Sequence, residues 1–387
     1  MRFAEALSRP GLGAVAEFKR RSPSMGDIRL DARVEELVPE YATNGASAIS
    51  VLVDAAFAGS LDDLVAARAA TRTPLLAKGF FSTEEHLAEL RAAGADAVLL
   101  ILRDLDDEQV RRLSSKAKDL GLDALVEAHD AEELERAMAF QAPIVGVNAR
   151  DLSTFRIDRK QQLDLVARAA RDTGKVVIAE SGIHTRAQAA AAELAGADAV
   201  LVGTSLMQAA DPGAKLRELI SRPLVKVCGL TRQEDVDVAV AAGADMLGFI
   251  LVEKSPRRAE AVLDVPETAL SVAVFVGRPE ETGADLVQLY PAQDGVLRGR
   301  HALLYRNGEP VAFVLDLPWQ GTDPGHWEHS AGKEGRVMLA GGLGPENVRA
   351  AIEAVHPWAV DAASSLESAP GIKDHARVRA YVEEAHR

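Results

Sequence analysis

Cysteine is nearly absent: Cys228 stands alone in 387 residues, which excludes an intrachain disulfide, and no cysteine and histidine spacing resembles a zinc site. That usage leads us to expect a reducing, cytoplasmic compartment. Aromatic residues are scarce too, with ten Phe, four Tyr and three Trp, so a core has to be built from Ala, Val, Leu and Ile. Such a core suits parallel sheets covered by helices. Long apolar runs are missing, and the opening MRFAEALSRP lacks the apolar stretch of an export signal, so neither membrane spanning nor secretion is expected. Positive charge is in deficit. The formal net charge of -14 repels phosphate-rich polymers and acidic membranes. A local group of backbone N–H donors and lysines can still hold a small phosphate, because charge is screened beyond about 8 Å at physiological salt. We therefore expect no nucleic-acid and no membrane partner, and leave small anionic substrates open.

What the chain does have is repetition. Its length exceeds what one hydrophobic core usually organises, so two domains are expected. Short β-branched runs at 14–18, 46–52, 74–77, 97–102, 124–127, 144–147, 176–179 and 199–202 alternate with Ala-, Glu- and Arg-rich helical stretches. Eight βα units within residues 1–221 predict a closed (βα)8 barrel of the TIM type, with an open doubly wound sheet as the competing arrangement. A break at Ser221, Arg222 and Pro223 precedes a second domain, 222–387, which opens with a strand at 224–227, a helix at 234–242 and a strand at 246–251. Its middle is irregular. The gap between the run ending at Val276 and the strand at 286–289 is shorter than a parallel crossover normally needs. Asn307-Gly308 between two apolar runs signals an antiparallel hairpin. Regularity returns with strands at 336–340 and 358–361 and two helices. The fold class expected is α/β, two tandem barrels, the second shortened and irregular in its middle.

Catalytic groups of such barrels sit where strands end at their C-terminal side. Glu17 and Lys19 end the first strand at i and i+2, hence on one face; Lys78 ends the third, Glu127 the fifth, Asn148 the sixth and Glu180 the seventh. Any one of these, taken singly, reads better as a solvated strand end or a salt bridge closing the barrel mouth. As a set, two lysines and three carboxylates on one rim are costly to bury unpaired, and an anionic substrate handled by acid and base chemistry accounts for them better. Gly182 and Gly203, in the loops after the last two strands, fit a phosphate cradle built from backbone N–H groups.

These segments resemble a known family. Glu17-Phe18-Lys19-Arg20-Arg21-Ser22-Pro23-Ser24, Ile49 to Leu52, Lys78, Val126-Glu127, Asn148 to Leu152, Ala179 to Ile183 and Gly203 to Met207 are similar, in order and spacing, to indole-3-glycerol-phosphate synthase. The resemblance implies tryptophan biosynthesis and decarboxylating, dehydrating closure of an indole ring on a carboxyphenylamino deoxyribulose phosphate. It implies Lys78 as the general acid on the substrate ketone, Glu127 as the acid/base carboxylate, and Lys19 as the group that holds the substrate carboxylate and assists loss of water. Glu17 and Asn148 would position the reacting groups and Glu180 would support them; Arg150 and Ser181 would bind substrate; Ser22, Gly182, Gly203 and Thr204 would bind phosphate. No metal and no organic cofactor is implied. The first strand begins so early that the family's N-terminal helical extension is expected to be largely missing, and Gly79 stands where the family usually has aspartate.

Lys226 to Thr231, Ser255-Pro256-Arg257, Ala340 to Leu343 and Gly371 to Asp374 resemble phosphoribosylanthranilate isomerase. By that resemblance Cys228 is the general base and Asp316 the general acid of an Amadori rearrangement, Arg257 contacts substrate, and Gly342 and Ser364 lie in phosphate loops. Trp319 to Trp327 occupy the place of the family's glycine-rich loop and aromatic motif, and Tyr290-Pro291 replaces its His-Gly. A lone cysteine at a strand end is otherwise most often a small buried residue. Two accounts stay open for this domain, a compact active isomerase and a structural partner; retention of Cys228, Arg257 and Asp316 favours activity. The competing readings for the whole are another phosphosugar barrel enzyme, such as an epimerase, and a noncatalytic scaffold. The partners expected are small phosphosugar substrates, on a monomeric chain.

Overall fold

A computed structural model describes residues 2–151, 154–172, 174–292, 301–316 and 335–387. Leu152 of the sixth-strand motif and the stretch Trp319 to Trp327 lie outside the described residues. The chain divides into two compact units, Met1–His184 with Ala189–Ser221, and Arg222–Arg387 with Thr185–Gln188.

In the first unit eight strands, β1 (Gly13–Phe18), β2 (Ala48–Leu52), β3 (Leu75–Lys78), β4 (Ala97–Ile101), β5 (Asp123–Ala128), β6 (Ile144–Asn148), β7 (Val176–Glu180) and β8 (Ala199–Val202), close into a barrel in sequence order. Every neighbouring pair is parallel, including the closing pair, where Gly13 stands against Ala199. The strands are almost wholly buried because both of their faces are covered. Side chains alternate between faces, and the two apolar clusters follow that alternation. Val15, Ala48, Leu76, Leu99, Leu125, Ile144, Ile178 and Leu201 fill the barrel interior, whereas Ala14, Ala16, Ile49, Val98, Val126, Val145 and Val177 pack outwards.

Short helix α1 (Phe3–Leu7) adds Phe3 and Leu7 to the interior cluster at the N-terminal end, where the Ala4 N–H donates to Asp123 at the start of β5. The crossover helices α2 (Val34–Thr43), α3 (Leu61–Ala70), α4 (Glu84–Ala92), α5 (Asp107–Asp119), α6 (Ala131–Ala139), α7 (Arg159–Ala169) and α8 (Arg186–Ala195) return the chain, and α9 (Thr204–Gln208) and α10 (Pro212–Ile220) follow β8. Ser60, Thr83, Asp106, Asp130, Asp158 and Asp211 cap α3, α4, α5, α6, α7 and α10 by accepting a first-turn N–H. Each cap satisfies a donor that the helix itself cannot.

The second unit also closes, through β9 (Leu224–Cys228), β10 (Met246–Ile250), β11 (Leu270–Val276), β12 (Leu286–Tyr290), β13 (His301–Arg306), β14 (Glu309–Asp316), β15 (Val337–Ala340) and β16 (Ala359–Ala362). The expected hairpin is present: β13 runs antiparallel to both neighbours, and Asn307 and Gly308, at φ of 49° and 83°, make its turn. One expectation is corrected. Residues 277–285 are fewer than a parallel crossover normally needs, yet β11 and β12 pair in parallel from Val272↔Leu286 to Val276↔Tyr290. An extended segment of that length reaches about 30 Å, enough to retrace a strand of about 17 Å without a helix. The described residues of this unit hold three α-helices, α11 (Gln233–Ala242), α12 (Val348–Val355) and α13 (His375–His386). Among the described residues no helix is long and apolar enough to cross a membrane.

Candidate active site

The inward register of the first barrel carries on into its chemistry. Two residues beyond the interior side chains Val15, Leu76, Leu125 and Ile178 come Glu17, Lys78, Glu127 and Glu180, so strand alternation alone turns all four towards the axis. Lys78 Nζ lies 2.6 Å from Glu180 Oε2, 3.6 Å from Glu17 Oε2 and 3.7 Å from Glu127 Oε2, and Lys19 Nζ lies 2.9 Å from Glu17 Oε1. Two glycines make this packing possible. A Cβ on Gly146, the inward neighbour of Asn148 on β6, would fall 2.1 Å from Glu180 Oε1, and one on Gly203 would fall 2.4 Å from Glu17 Oε1.

Burial pushes Glu17 up, but Lys19 and Lys78 outweigh it and hold the carboxyl below its ordinary range. Burial likewise depresses Lys78, while Glu180, Glu17 and Glu127 keep it well above its ordinary value and charged. Glu127 and Glu180 diverge. Burial raises both; Lys78 and His129 bring Glu127 below the usual range, whereas Glu180 stays above it because Glu127 opposes the pull of Lys78. Glu127 Oε2 and Glu180 Oε1 are both buried with no donor among the described residues, so a proton shared by this carboxyl pair satisfies both.

A cavity of about 320 Å³ opens over these groups, lined by Glu17, Lys19, Lys78, Glu127 and Asn148 from strand ends, by Ser22, Arg150 and Ser181, and by Gly182, Gly203 and Thr204. All the residues singled out in the first domain thus converge on one cavity except Glu180, which is fully buried and reaches it through Lys78. Ser181 and Gly182 turn the loop after β7 at φ of 71° and 70°, and Arg159 donates to the Gly182 carbonyl. Gly203 heads α9, and Ser22 and Ser24 share a hydrogen bond of 2.9 Å. The Asn148 carbonyl oxygen of the side chain accepts from the Arg150 N–H at 3.0 Å.

Sequence reasoning passed over three residues here. Phe57 and Phe80 stack with ring centroids 6.1 Å apart in the cavity wall, and with Leu99 and Ile101 they offer a flat aromatic group an apolar berth. His129 contacts Glu127 at 3.2 Å. Its position was readable: Glu127-Ala128-His129 repeats the carboxylate-x-cation spacing of Glu17-Phe18-Lys19.

In the second barrel Lys226 is fully buried and donates to Asp361 Oδ2 at 2.9 Å and to Gln288 Oε1 at 2.8 Å. Gln288 donates in turn to Tyr290 Oη, and Tyr290 to Asp316 Oδ2, both at 2.9 Å. Cys228 sits at the end of β9, one inward step beyond Lys226; burial pushes its thiol up although Lys226 pulls the other way. A Cβ on Gly248 would lie 2.7 Å from its Sγ, so that glycine makes its room. Arg257 donates to both oxygens of Glu367 at 2.9 and 2.8 Å, and Lys373 donates to Glu367 and to the Ala363 carbonyl. Gly342 turns at φ of 71° and Ser364 opens a 3-10 turn. Tyr290, noted in the sequence only as a departure, proves to be the direct partner of Asp316.

Comparison with known proteins bears on both units. The family model described as indole-3-glycerol phosphate synthase matches residues 1–219, and the one described as N-(5'phosphoribosyl)anthranilate (PRA) isomerase matches residues 325–384. The tryptophan biosynthesis protein TrpCF of Yersinia pestis is 34% identical over 98% of this chain and 86% of its own length. Indole-3-glycerol phosphate synthase 2 of Streptomyces coelicolor is 45% identical over 56% of this chain and 84% of its own. The multifunctional tryptophan biosynthesis protein of Schizosaccharomyces pombe is 32% identical over 98% of this chain, which spans 60% of that relative's length.

Proposed function

Because the chain belongs to the family of fused indole-3-glycerol phosphate synthase and phosphoribosylanthranilate isomerase proteins, we propose that it carries out two reactions of tryptophan biosynthesis. Residues 1–221 would act as the synthase, closing 1-(2-carboxyphenylamino)-1-deoxyribulose 5-phosphate to indole-3-glycerol phosphate, and residues 222–387 as the isomerase that makes that substrate by an Amadori rearrangement.

The observation that carries the synthase reading is one ammonium, Lys78, ringed by Glu17, Glu127 and Glu180 at the mouth of a cavity that also holds Gly182 and Gly203. The Lys78 ammonium donates to the ketone oxygen as the carboxyl-bearing ring carbon attacks the ketone carbon, so negative charge never accumulates there. The new bond forms, the carboxylate leaves as carbon dioxide and the ring regains its aromaticity. The hydroxyl left from the ketone then departs as water with a proton from Lys19, and Glu127 removes the proton from the adjacent carbon to complete the indole double bond. Lys19 holds the carboxylate before it leaves. Ser22, the loop at Gly182 and the start of α9 at Gly203 and Thr204 hold the phosphate through O–H and backbone N–H groups. Phe57 and Phe80 take the benzene ring. In the second barrel Cys228 removes the proton that moves in the rearrangement, and Asp316, hydrogen-bonded to Tyr290, supplies the acid.

Separate assays of the two half-reactions test the reading. Lys78→Ala abolishes indole-product formation and spares isomerisation, and Cys228→Ala does the reverse. Wild-type chain that closes the ring but never isomerises would reduce the second barrel to a structural partner.

A further inference from the structure

Ring closure leaves His129 unassigned, although its charged ring contacts the reaction's machinery. It extends β5 by one residue, and its ring stands outside the cavity lining, behind Glu127. Nε2 approaches Glu127 Oε1 at 3.2 Å with its N–H line off the oxygen, an ionic contact rather than a full hydrogen bond. On the other side Nδ1 lies 2.9 Å from Glu133 Oε2, and the His129 backbone N–H donates to the same oxygen at 2.8 Å. Glu133 is fixed in the first turn of α6, where its own N–H donates to Asp130 at 2.9 Å.

A carboxylate faces each ring nitrogen, and only an imidazolium presents N–H on both sides. Burial pushes the ring towards neutrality, but Glu127 and Glu133 hold it charged up to about 10. The two oxygens of Glu127 are therefore unequal. Oε1 faces the imidazolium; Oε2 is turned to Lys78 at 3.7 Å and is the oxygen that shares a proton with Glu180.

We propose that His129 is a positioning residue for the synthase reaction: clamped by Glu133, it holds Glu127 by Oε1 and confines proton exchange to Oε2, the oxygen beside Lys78. The proposal rests on Glu127 being the acid–base carboxylate of ring closure. The charged groups around the pair are Glu133 from α6, Lys78 from β3, Glu180 from β7 and Glu17 from β1, and of these only Glu133 lies on the His129 side.

The test uses the full chain, the ring-closing assay and nitrogen NMR of the imidazole. His129→Asn lowers kcat by about 10- to 100-fold, within the range of general acid–base effects. KM stays within about threefold, because the ring does not touch substrate, and the acid limb of the kcat profile moves up by about one pH unit as Glu127 loses its cation. Glu133→Gln lets His129 deprotonate at lower pH, so its loss of kcat appears only on the alkaline side. In the wild-type chain at pH 8 both ring nitrogens carry protons. A His129→Asn profile that overlays the wild type, or a neutral His129 ring at pH 8, overturns the proposal. Should His129→Asn fail to fold, Glu133→Gln and the NMR signal decide. Glu127→Gln separates the two ideas: full activity there sinks the Glu127 assignment, while the ring's protonation still judges the clamp.

Discussion

Gly146 and Gly203 carry no functional group, yet they decide where two carboxylates can lie. The Cβ of Gly146→Ala would meet Glu180 Oε1 at 2.1 Å, a separation no packing tolerates, so the carboxylate has to leave its 2.6 Å contact with Lys78. We expect that variant to lose at least about tenfold in kcat for ring closure, an electrostatic effect of roughly 1.4 kcal/mol on the barrier, with isomerisation unchanged. Steady-state kinetics beside a far-UV melting curve check it, and wild-type ring closure in a folded Gly146→Ala chain would refute the cradle. Charged residues at strand ends were legible in the sequence as a set, because two lysines and three carboxylates on one rim are costly to bury unpaired. The glycine hollow was not, since it is a relation between two strands: Gly146 reads alone as an ordinary strand residue. Likewise His129 could be found by its spacing from Glu127, but its partner Glu133 belongs to the next helix and comes into view only once α6 folds back.

Strands of the first barrel are the elements that composition announces best, because a parallel strand covered on both faces reads as an unbroken apolar run. β4, β6, β7 and β8 begin at the residues expected for them, and the other four begin within two residues of theirs. The second barrel was less readable between Ile250 and Leu286, where the described connections 251–269 and 277–285 hold no α-helix and so have no periodicity to detect. Its hairpin is the exception, since a tight turn is a local event with a local signature. Asn307 and Gly308 both lie at positive φ, and Arg306 pairs with Glu309 across them, the geometry of a two-residue hairpin loop. Gly308→Val places a β-branched side chain at φ of 83° and should destabilise the second barrel by about 1–2 kcal/mol. Trp319, Trp327 and Trp358 all fall within 222–387, so the midpoint of denaturant unfolding followed by tryptophan fluorescence reports this barrel. Asn307→Gly is the neutral comparison. An unmoved midpoint for Gly308→Val would show that the turn does not hold the β13 and β14 register.

At the scale of the molecule, the buried charges of the synthase site set how stability follows pH. Glu17 and Glu127 are held below the ordinary 4.5, so their contribution is present above that pH and is lost as acid protonates them. His129 is held up to about 10 against an ordinary 6.5; its contribution is complete below 6.5 and disappears as pH climbs through 10. Glu180, raised by burial and by Glu127, has the same sign as His129: folding favours its protonated form, and that advantage fades above 4.5 as the unfolded chain ionises. The three trends place the stability maximum of the first barrel near pH 4.5, with the fall above it steepening past 6.5, on the acidic side of neutrality. General self-repulsion from a net charge of -14 also grows with pH, but it acts through solvent and is relieved by salt, whereas the buried pairs are screened far less. Thermal unfolding from pH 4 to 9.5 at about 0.5 M salt therefore isolates the site's share, read as the far-UV transition that tryptophan fluorescence does not follow. His129→Asn flattens the alkaline fall and lowers stability at pH 6. A midpoint for the first barrel that rises between pH 6 and 9 in high salt would mean that neither His129 nor Glu180 carries its proton into the folded state, and the charge pattern derived for the site would have to be redrawn.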